Sequence, residues 1–290
     1  MSAAATYAAR VDAVLEQRTR LRGPQPPGDL FGTLPTNSPM MRSNPRRALE
    51  PNLALIAEYV QPDDIILDVG GGAGRLSLPL ALRCREVVNV DPSPAMLAGF
   101  EATAREADIA NVRSVLGDWL EVEPPSGTVA LVNHVTYLTR EIVPFLQKLD
   151  ATASRRVLVT VNSPPLPTRN RDLFRLLYGE TEALMPGLPE LVNVLWELGI
   201  EPDVRMLPDP GTILTPVPGR EAAIATTIAR FPTEQWALWA LGPELEGQLR
   251  TVLETHFDTL FTETERGYAA TWIEPYNGRE ALITWEPRRS

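Results

Sequence analysis

Five short apolar runs divide the first part of the chain: Ile65-Ile66-Leu67, Val87 to Val90, Val112 to Leu116, Val129 to Val132 and Val157 to Val161. They are rich in β-branched residues. A continuous run of this kind marks a strand buried on both faces, as in a parallel sheet covered by helices. Helical segments or short loops separate the first four, and that alternation predicts a doubly wound α/β domain. Helical spacing of Tyr7, Val11, Val14 and Leu15 predicts a helix over 5–21. Residues 22–46 follow as an irregular connector carrying Pro24, Pro26, Pro27, Gly28, Pro35 and Pro39. Leu53 to Val60 forms a short helix entered through Pro51.

Beyond Asn162 the regularity breaks. Ser163 to Pro167 is a proline-rich loop. Arg171 to Leu177 and Leu188 to Leu198 are helical, the second ending at Gly199. Val204 to Leu207 fits a sixth strand. Residues 219–260 hold helical patterns around Trp236, Trp239, Leu249, Val252 and Leu253. The C-terminus has the pattern of a hairpin, with Tyr268 to Ile273 and Ala281 to Trp285 joined by a turn at Asn277-Gly278.

Composition narrows the partners. A chain of 290 residues fits one α/β domain with elaborations. The formal net charge of −10 repels phosphate backbones, and no long Lys/Arg run offsets it, so nucleic acid is disfavoured as a partner. Cys84 is the single cysteine, which excludes an intrachain disulfide and favours a reducing compartment. No apolar stretch is long enough to span a bilayer, and the N-terminus lacks the apolar core of a signal peptide. Asp12 and Glu16 argue against a transit peptide. A cytoplasmic protein with no membrane partner is expected.

The chemistry concentrates in Asp68-Val69-Gly70-Gly71-Gly72-Ala73-Gly74, where a buried strand meets a helix through a turn nearly free of side chains. Glycines there permit positive φ and let a ligand touch the backbone. A dinucleotide loop requires G-x-G-x-x-G, but the third glycine would fall at Arg75. The glycines lie instead at 70, 72 and 74, behind Asp68. The second strand ends in Asp91, placed to accept from both hydroxyls of a ribose. Asp91 and Pro92 equally suit the start of a helix, with Asp91 as its cap. The third strand ends in Gly117-Asp118-Trp119.

This acid-x-G-x-G-x-G turn, with the two acidic strand ends after it, resembles the class I S-adenosylmethionine-dependent methyltransferases. The likeness is close over roughly residues 50–162. It implies a seven-stranded, mostly parallel Rossmann-like sheet and S-adenosyl-L-methionine as cofactor, with no metal. The implied cofactor residues are Asp68, Gly70, Gly72, Gly74, Asp91, Pro92, Met96, Gly117, Asp118, Trp119 and Asn133. Met96 would pack on adenine, although plain core packing explains it equally well. Asp118 would accept from the adenine amino group while the Trp119 backbone contacts the ring. Residues 189–200 also resemble a bacterial methyltransferase branch, a likeness that brings no substrate with it.

The fourth strand ends in Asn133-His134-Val135-Thr136-Tyr137, which in that family faces the methyl group. Families that methylate exocyclic amines of bases often carry Asn/Asp-Pro-Pro-aromatic here, and this chain has no such prolines. His134 and Tyr137 are the catalytic candidates. An imidazole titrates near neutrality and can take a proton from a hydroxyl or amine. Alternatively, His134 only hydrogen-bonds the cofactor carboxylate or a neighbouring backbone group. Methyl transfer by in-line displacement often needs no protein base, because alignment alone supplies about 7–11 kcal/mol. Tyr7, Arg46, Arg47 and Asn162 are further candidates for the pocket wall, each with an ordinary surface or packing role as the plainer reading. Trp236, Trp239, Trp272 and Trp285 are candidates for an aromatic acceptor site, against core packing.

The family's last strand inserts antiparallel between the fifth and sixth. Ala281 to Trp285 fits that place, yet the hairpin pattern pairs it with Tyr268 to Ile273, and both pairings cannot hold along its full length; Val204 to Leu207 is favoured as the sixth strand, with the hairpin partial or splayed. The expected organisation is a helical lid and connector over 1–50 and a methyltransferase core over 51–210. A helical insertion over 211–266 and a C-terminal hairpin over 267–290, completing the sheet, follow. The expected activity is methyl transfer to a small-molecule acceptor. The alternatives are a non-catalytic sensor or scaffold that binds the nucleoside, and a nicotinamide-dependent dehydrogenase, which Arg75 opposes. The N-terminal helix would shield the crevice; a structural brace or homodimer contact is its other role.

Overall fold

The computed structural model describes residues 1–24, 28–29, 43–123, 125–165, 168, 170–208, 216–234, 243–272 and 279–288. Five parallel strands form the centre of one sheet: β1 (Ile65–Val69), β2 (Glu86–Asp91), β3 (Val112–Leu116), β4 (Gly127–Asn133) and β5 (Ala153–Ser163). With β6 (Asp203–Met206) and β9 (Arg279–Trp285), the strand order is β3-β2-β1-β4-β5-β9-β6. A second, two-stranded sheet joins β7 (Phe261–Thr264) to β8 (Gly267–Ala270).

Continuous apolar runs are explained by the two faces they serve. Leu67, Val69, Val88, Val90, Ala130 and Val132 pack on one side, under helices α1 (Ala3–Arg22), α5 (Ile142–Thr152) and α7 (Leu188–Glu197). Ile66, Val87, Val129 and Leu131 pack on the other, under α2 (Pro51–Ala57), α3 (Ser77–Ala81) and α4 (Pro94–Glu106). Side chains of a strand alternate between faces, so two covered faces demand apolar residues at every position. A third cluster gathers Leu173 from α6 (Arg171–Tyr178), then α8 (Arg220–Glu234), α9 (Pro243–Thr255), α10 (Phe257–Leu260) and Trp272.

The hairpin expected over 267–290 does not form. Tyr268 pairs with Glu263 of β7, while β9 lies antiparallel between β5 and β6. Both edges of β9 are taken along the core, with Val159 and Val204 facing Ile283 from either side. Burial of Ala281, Leu282, Ile283 and Trp285 there outweighs the local turn signal, because a central strand is packed on both faces. The turn at Asn277-Gly278 lies outside the described residues, as do Trp236 and Trp239. Residues 267–270 therefore belong with the small sheet, and only the final strand completes the large one.

From β1 the chain builds outward through β2 and β3, then returns to place β4 on the other side of β1. That reversal opens a crevice at the carboxyl ends of β1 and β4. Helix α1 buries Tyr7, Val11 and Val14 in the same core cluster as the central strands. Among the described residues, no helix is long and apolar enough to cross a membrane.

Candidate nucleoside and acceptor site

After β1 the chain turns through three glycines of positive φ: Gly70 at 70°, Gly72 at 54° and Gly74 at 78°. Two of them are glycine for different reasons. A Cβ on Gly74 would come within 2.4 Å of the Phe100 ring on α4, so this glycine lets the turn close onto the core. At Gly72 the corresponding space is open except for Met96 Sδ at 3.7 Å, so a ligand can approach the backbone there. The Gly70 amide donates to Val90 O (2.7 Å), and Asn89 Nδ2 donates to Gly72 O (2.7 Å), pinning the turn to β2. Asp68 sits beneath this turn, 2% exposed, where burial pushes its carboxyl up to about 7. Its place is below the turn, supporting it.

Asp91 ends β2 and faces the turn. Its Oδ2 accepts from the Gly72 amide (2.9 Å) and its Oδ1 from the Ser93 amide (2.8 Å). Burial raises its carboxyl; the two amides oppose this, and the Asp29 carboxylate adds to it. The capping role falls to Ser93, whose Oγ accepts from the Met96 amide (3.1 Å) at the start of α4. Asp91 is thus left at the crevice, with acceptor capacity beyond its two amides, since a carboxylate offers about four lone-pair sites. Pro92 is exposed beside it, and Met96 is buried with Ala73 and Ala95 in a small apolar cluster of its own.

At the end of β3, Gly117 (φ 151°) leads into Asp118, which is exposed and accepts from the Leu120 amide (2.8 Å). The Trp119 indole turns inward and meets Phe145 edge-on, with Lys148 over its ring. The Trp119 carbonyl accepts from Lys148 Nζ.

The acceptor end is a side-chain network. His134 takes a left-handed conformation (φ 58°), uncommon outside glycine, so the neighbouring groups hold it there. Its Nε2 lies 3.0 Å from Glu280 Oε1, and its Nδ1 lies 3.1 Å from the Tyr137 hydroxyl. Glu280 Oε2 accepts from Asn52 Nδ2 (2.7 Å), and the Tyr137 hydroxyl accepts from the Asn162 amide. Asn133 Oδ1 accepts from Thr160 Oγ1 (2.6 Å). Burial alone would raise the Glu280 carboxyl, but His134, with Asn52 and Thr160 as donors, holds it below the usual carboxylate range. From α1, the Tyr7 hydroxyl donates to Thr136 O (2.6 Å). His134, Tyr137, Tyr7 and Asn162, each singled out in the sequence, lie near one another here, beside Glu280 and Asn52, which no local pattern marked.

Other candidates lie elsewhere. Arg46 binds Ala107 O past the end of α4, and Arg47 binds Glu50 and Arg75 O. Trp272 donates to Asn170 within the third cluster, and Trp285 donates to Asp150 (3.0 Å) near the amino end of β5. Neither tryptophan forms an aromatic acceptor site, because packing claimed both rings. Among the described residues, no cluster of His, Cys, Asp and Glu is placed to hold a metal.

Comparison with known proteins agrees with the fold. Residues 66–154 match the family model described as "Methyltransferase domain". The chain is 29% identical over 187 residues to ribosomal RNA small subunit methyltransferase A of Geobacter metallireducens, covering 61% of this chain and 62% of that one. It is 25% identical over 155 residues to an uncharacterised protein of Haemophilus influenzae, covering 53% and 57%. The chain thus spans less than two thirds of the length of these curated relatives. The solved structure of the YcgJ protein from Bacillus subtilis superposes with a TM-score of 0.52 at 17% identity, over 82% of this chain and 99% of that one, which is a likeness of fold. Over residues 66–154 the chain is thus similar to methyltransferase domains, and this stretch holds the glycine turn, Asp91 and Asp118.

Proposed function

We propose that this protein transfers a methyl group from S-adenosylmethionine to a small-molecule acceptor by in-line displacement. The single observation that carries the reading is the Asp91 carboxylate, fixed to the Gly72 and Ser93 amides at the edge of an open glycine turn. A buried carboxylate facing a backbone cradle fits a neutral diol, and poorly fits a phosphate, which it would repel. S-Adenosylmethionine, when bound, supplies a methyl group already activated on a sulfonium. Asp91 holds the ribose hydroxyls, Asp118 the adenine amino group and Met96 the adenine face, while Gly70, Gly72 and Gly74 admit the methionine portion to the backbone.

His134 and Tyr137 serve as positioning residues at the acceptor end. Both ring nitrogens of His134 are engaged, one by Glu280 and one by Tyr137, so the network fixes the strand end and leaves no free lone pair for a substrate proton. Asn133 and the turn after it line the reacting end, and α1 covers it through Tyr7, excluding water. This N-terminal helix is therefore a roof built into the core. Alignment and exclusion of water are what a sulfonium displacement requires. A small-molecule acceptor is favoured by the net charge of −10 and by the missing prolines after Asn133.

A ribosomal RNA acceptor is the second reading, favoured by the name of the Geobacter relative. Methyl-labelled cofactor incubated with a panel of small hydroxyl, amine and carboxylate compounds, and separately with ribosomal RNA, tests both. Label in the small molecules is the expected result. Label in RNA alone overturns the acceptor class, and cofactor binding without any transfer favours the sensor reading.

A further inference from the structure

The N-terminal connector supplies a second carboxylate at the nucleoside end of the crevice. Both oxygens of Asp29 accept from Ser93 Oγ, at 2.9 and 2.8 Å, and Oδ2 also accepts from the Ala95 amide (3.1 Å). Asp29 stands far from Ser93 in sequence, so this contact fastens it to the core. Ser93 is the pivot. Its amide donates to Asp91, which in turn holds the Gly72 amide. A continuous chain of hydrogen bonds therefore runs from the glycine turn through Asp91 and Ser93 to Asp29.

We propose that Asp29 is a cofactor-affinity residue, which braces the 91–96 loop at the ribose edge of the site through Ser93 and the Ala95 amide. The proposal rests on reading this crevice as an S-adenosylmethionine site. Three features carry it. The amino-terminal segment touches both ends of the crevice, through Tyr7 on Thr136 O at the acceptor end and through Asp29 at the nucleoside end. The loop it grips, 91–96, carries both the ribose carboxylate and Met96 beside Gly72. Two neighbouring carboxylates are also mutually repulsive, and a diol with two hydroxyl donors relieves that repulsion when it arrives.

A simpler role would be an extra cap on α4. Ser93 already caps the Met96 amide, and Asp29 adds the Ala95 amide. A cap sets helix stability only; it leaves cofactor affinity and its pH dependence alone. The two roles therefore separate experimentally. Asp91 accepts ribose hydroxyls best when ionised, so affinity falls as acid protonates it. The carboxylates that face Asp91 are Asp29 from the connector and Asp68 from β1. Removing the Asp29 charge lowers the Asp91 carboxyl toward its ordinary range and moves that fall to lower pH.

The test is calorimetric titration of S-adenosylhomocysteine into the full chain and into Asp29→Ala and Asp29→Asn, from about pH 5 to 8. Asp29→Ala is expected to raise the Kd about tenfold at neutral pH, the loss of roughly one charge-assisted hydrogen bond. Asp29→Asn keeps an acceptor for the Ala95 amide; its Kd should lie between the other two, with its acid fall-off at lower pH than the wild type. Asn also carries the test if the Ala variant fails to fold. Unchanged Kd and pH dependence in folded variants, with a lowered Tm alone, overturns the proposal and leaves a cap. Failure of the wild type to bind S-adenosylhomocysteine overturns the site reading and this proposal with it.

Discussion

The two ends of the crevice are held together by different kinds of bond. At the nucleoside end, Asp91 binds the amides of Gly72 and Ser93, and Asn89 binds Gly72 O, so side chains clasp main chain over short stretches of sequence. At the acceptor end, His134 is clasped by Glu280 and Tyr137, and Glu280 by Asn52, side chain to side chain from three distant elements. The first arrangement needs glycines and a carboxylate at fixed spacing, because amides are presented only where the turn has one shape. The second needs only that the partners arrive at the same place, and sequence spacing does not constrain it. Under the proposed function, one end is thereby committed to a single ligand class, and the other is free to vary with the acceptor.

The most damaging change at the nucleoside end should be Gly74→Ala. Its Cβ would fall 2.4 Å from Phe100 Cδ2 and 2.8 Å from Leu78 Cγ, at a φ of 78°. Overpacking of about 1–3 kcal/mol adds to a left-handed penalty of about 1–2 kcal/mol. Urea unfolding should show a loss in that summed range; a loss below about 1 kcal/mol would mean the turn relaxes freely, and its shape is not what commits the ligand. Asp91→Ala should come next, with the Kd for S-adenosylmethionine rising by the equivalent of about 1.5–3 kcal/mol while the fold persists. Unchanged affinity in the folded variant would remove the ribose assignment.

Glu280→Gln probes the other end. The charge-assisted bond to His134 should be lost, and stability at neutral pH should drop by about 1–3 kcal/mol. The Glu280 carboxyl is held below its ordinary value, so its contribution is full above the unfolded pKa of about 4.3 and is lost as pH falls through the folded one. The gap between wild type and variant, followed by denaturation against pH, should therefore close in acid. A gap constant with pH would assign the loss to shape and not to charge. The smallest effect belongs to Asp118→Ala, exposed and holding one turn amide, with a loss of about 1 kcal/mol or less in cofactor affinity. A larger loss there than at Asp91 would reverse the order of the strand ends.

The same contrast explains what the sequence revealed. Gly72 follows β1, and Asp91 ends β2, its parallel neighbour, with Met96 after it, so their meeting was legible from the order and spacing of the motifs, as was the parallel core from its apolar runs. Glu280 left no local mark. Its place follows from register, Glu280 standing opposite Asn162 where β9 runs antiparallel to β5. The turn-like Asn277-Gly278 pointed instead to a hairpin with Tyr268, and the burial of both faces of β9 overrode it. Asp29 was hidden for another reason: a proline-rich sequence has no period from which a contact can be inferred, and the bonds of Asp29 to Ser93 and Ala95 are tertiary.

A structure of the protein with S-adenosylhomocysteine tests the central claim most directly. The account predicts both ribose hydroxyls within hydrogen-bond distance of the Asp91 carboxylate, the adenine beside Met96 and Asp118, and the thioether sulfur turned toward Asn133 and His134. A ligand bound with its ribose away from Asp91, or with the sulfur facing away from the end of β4, would contradict it.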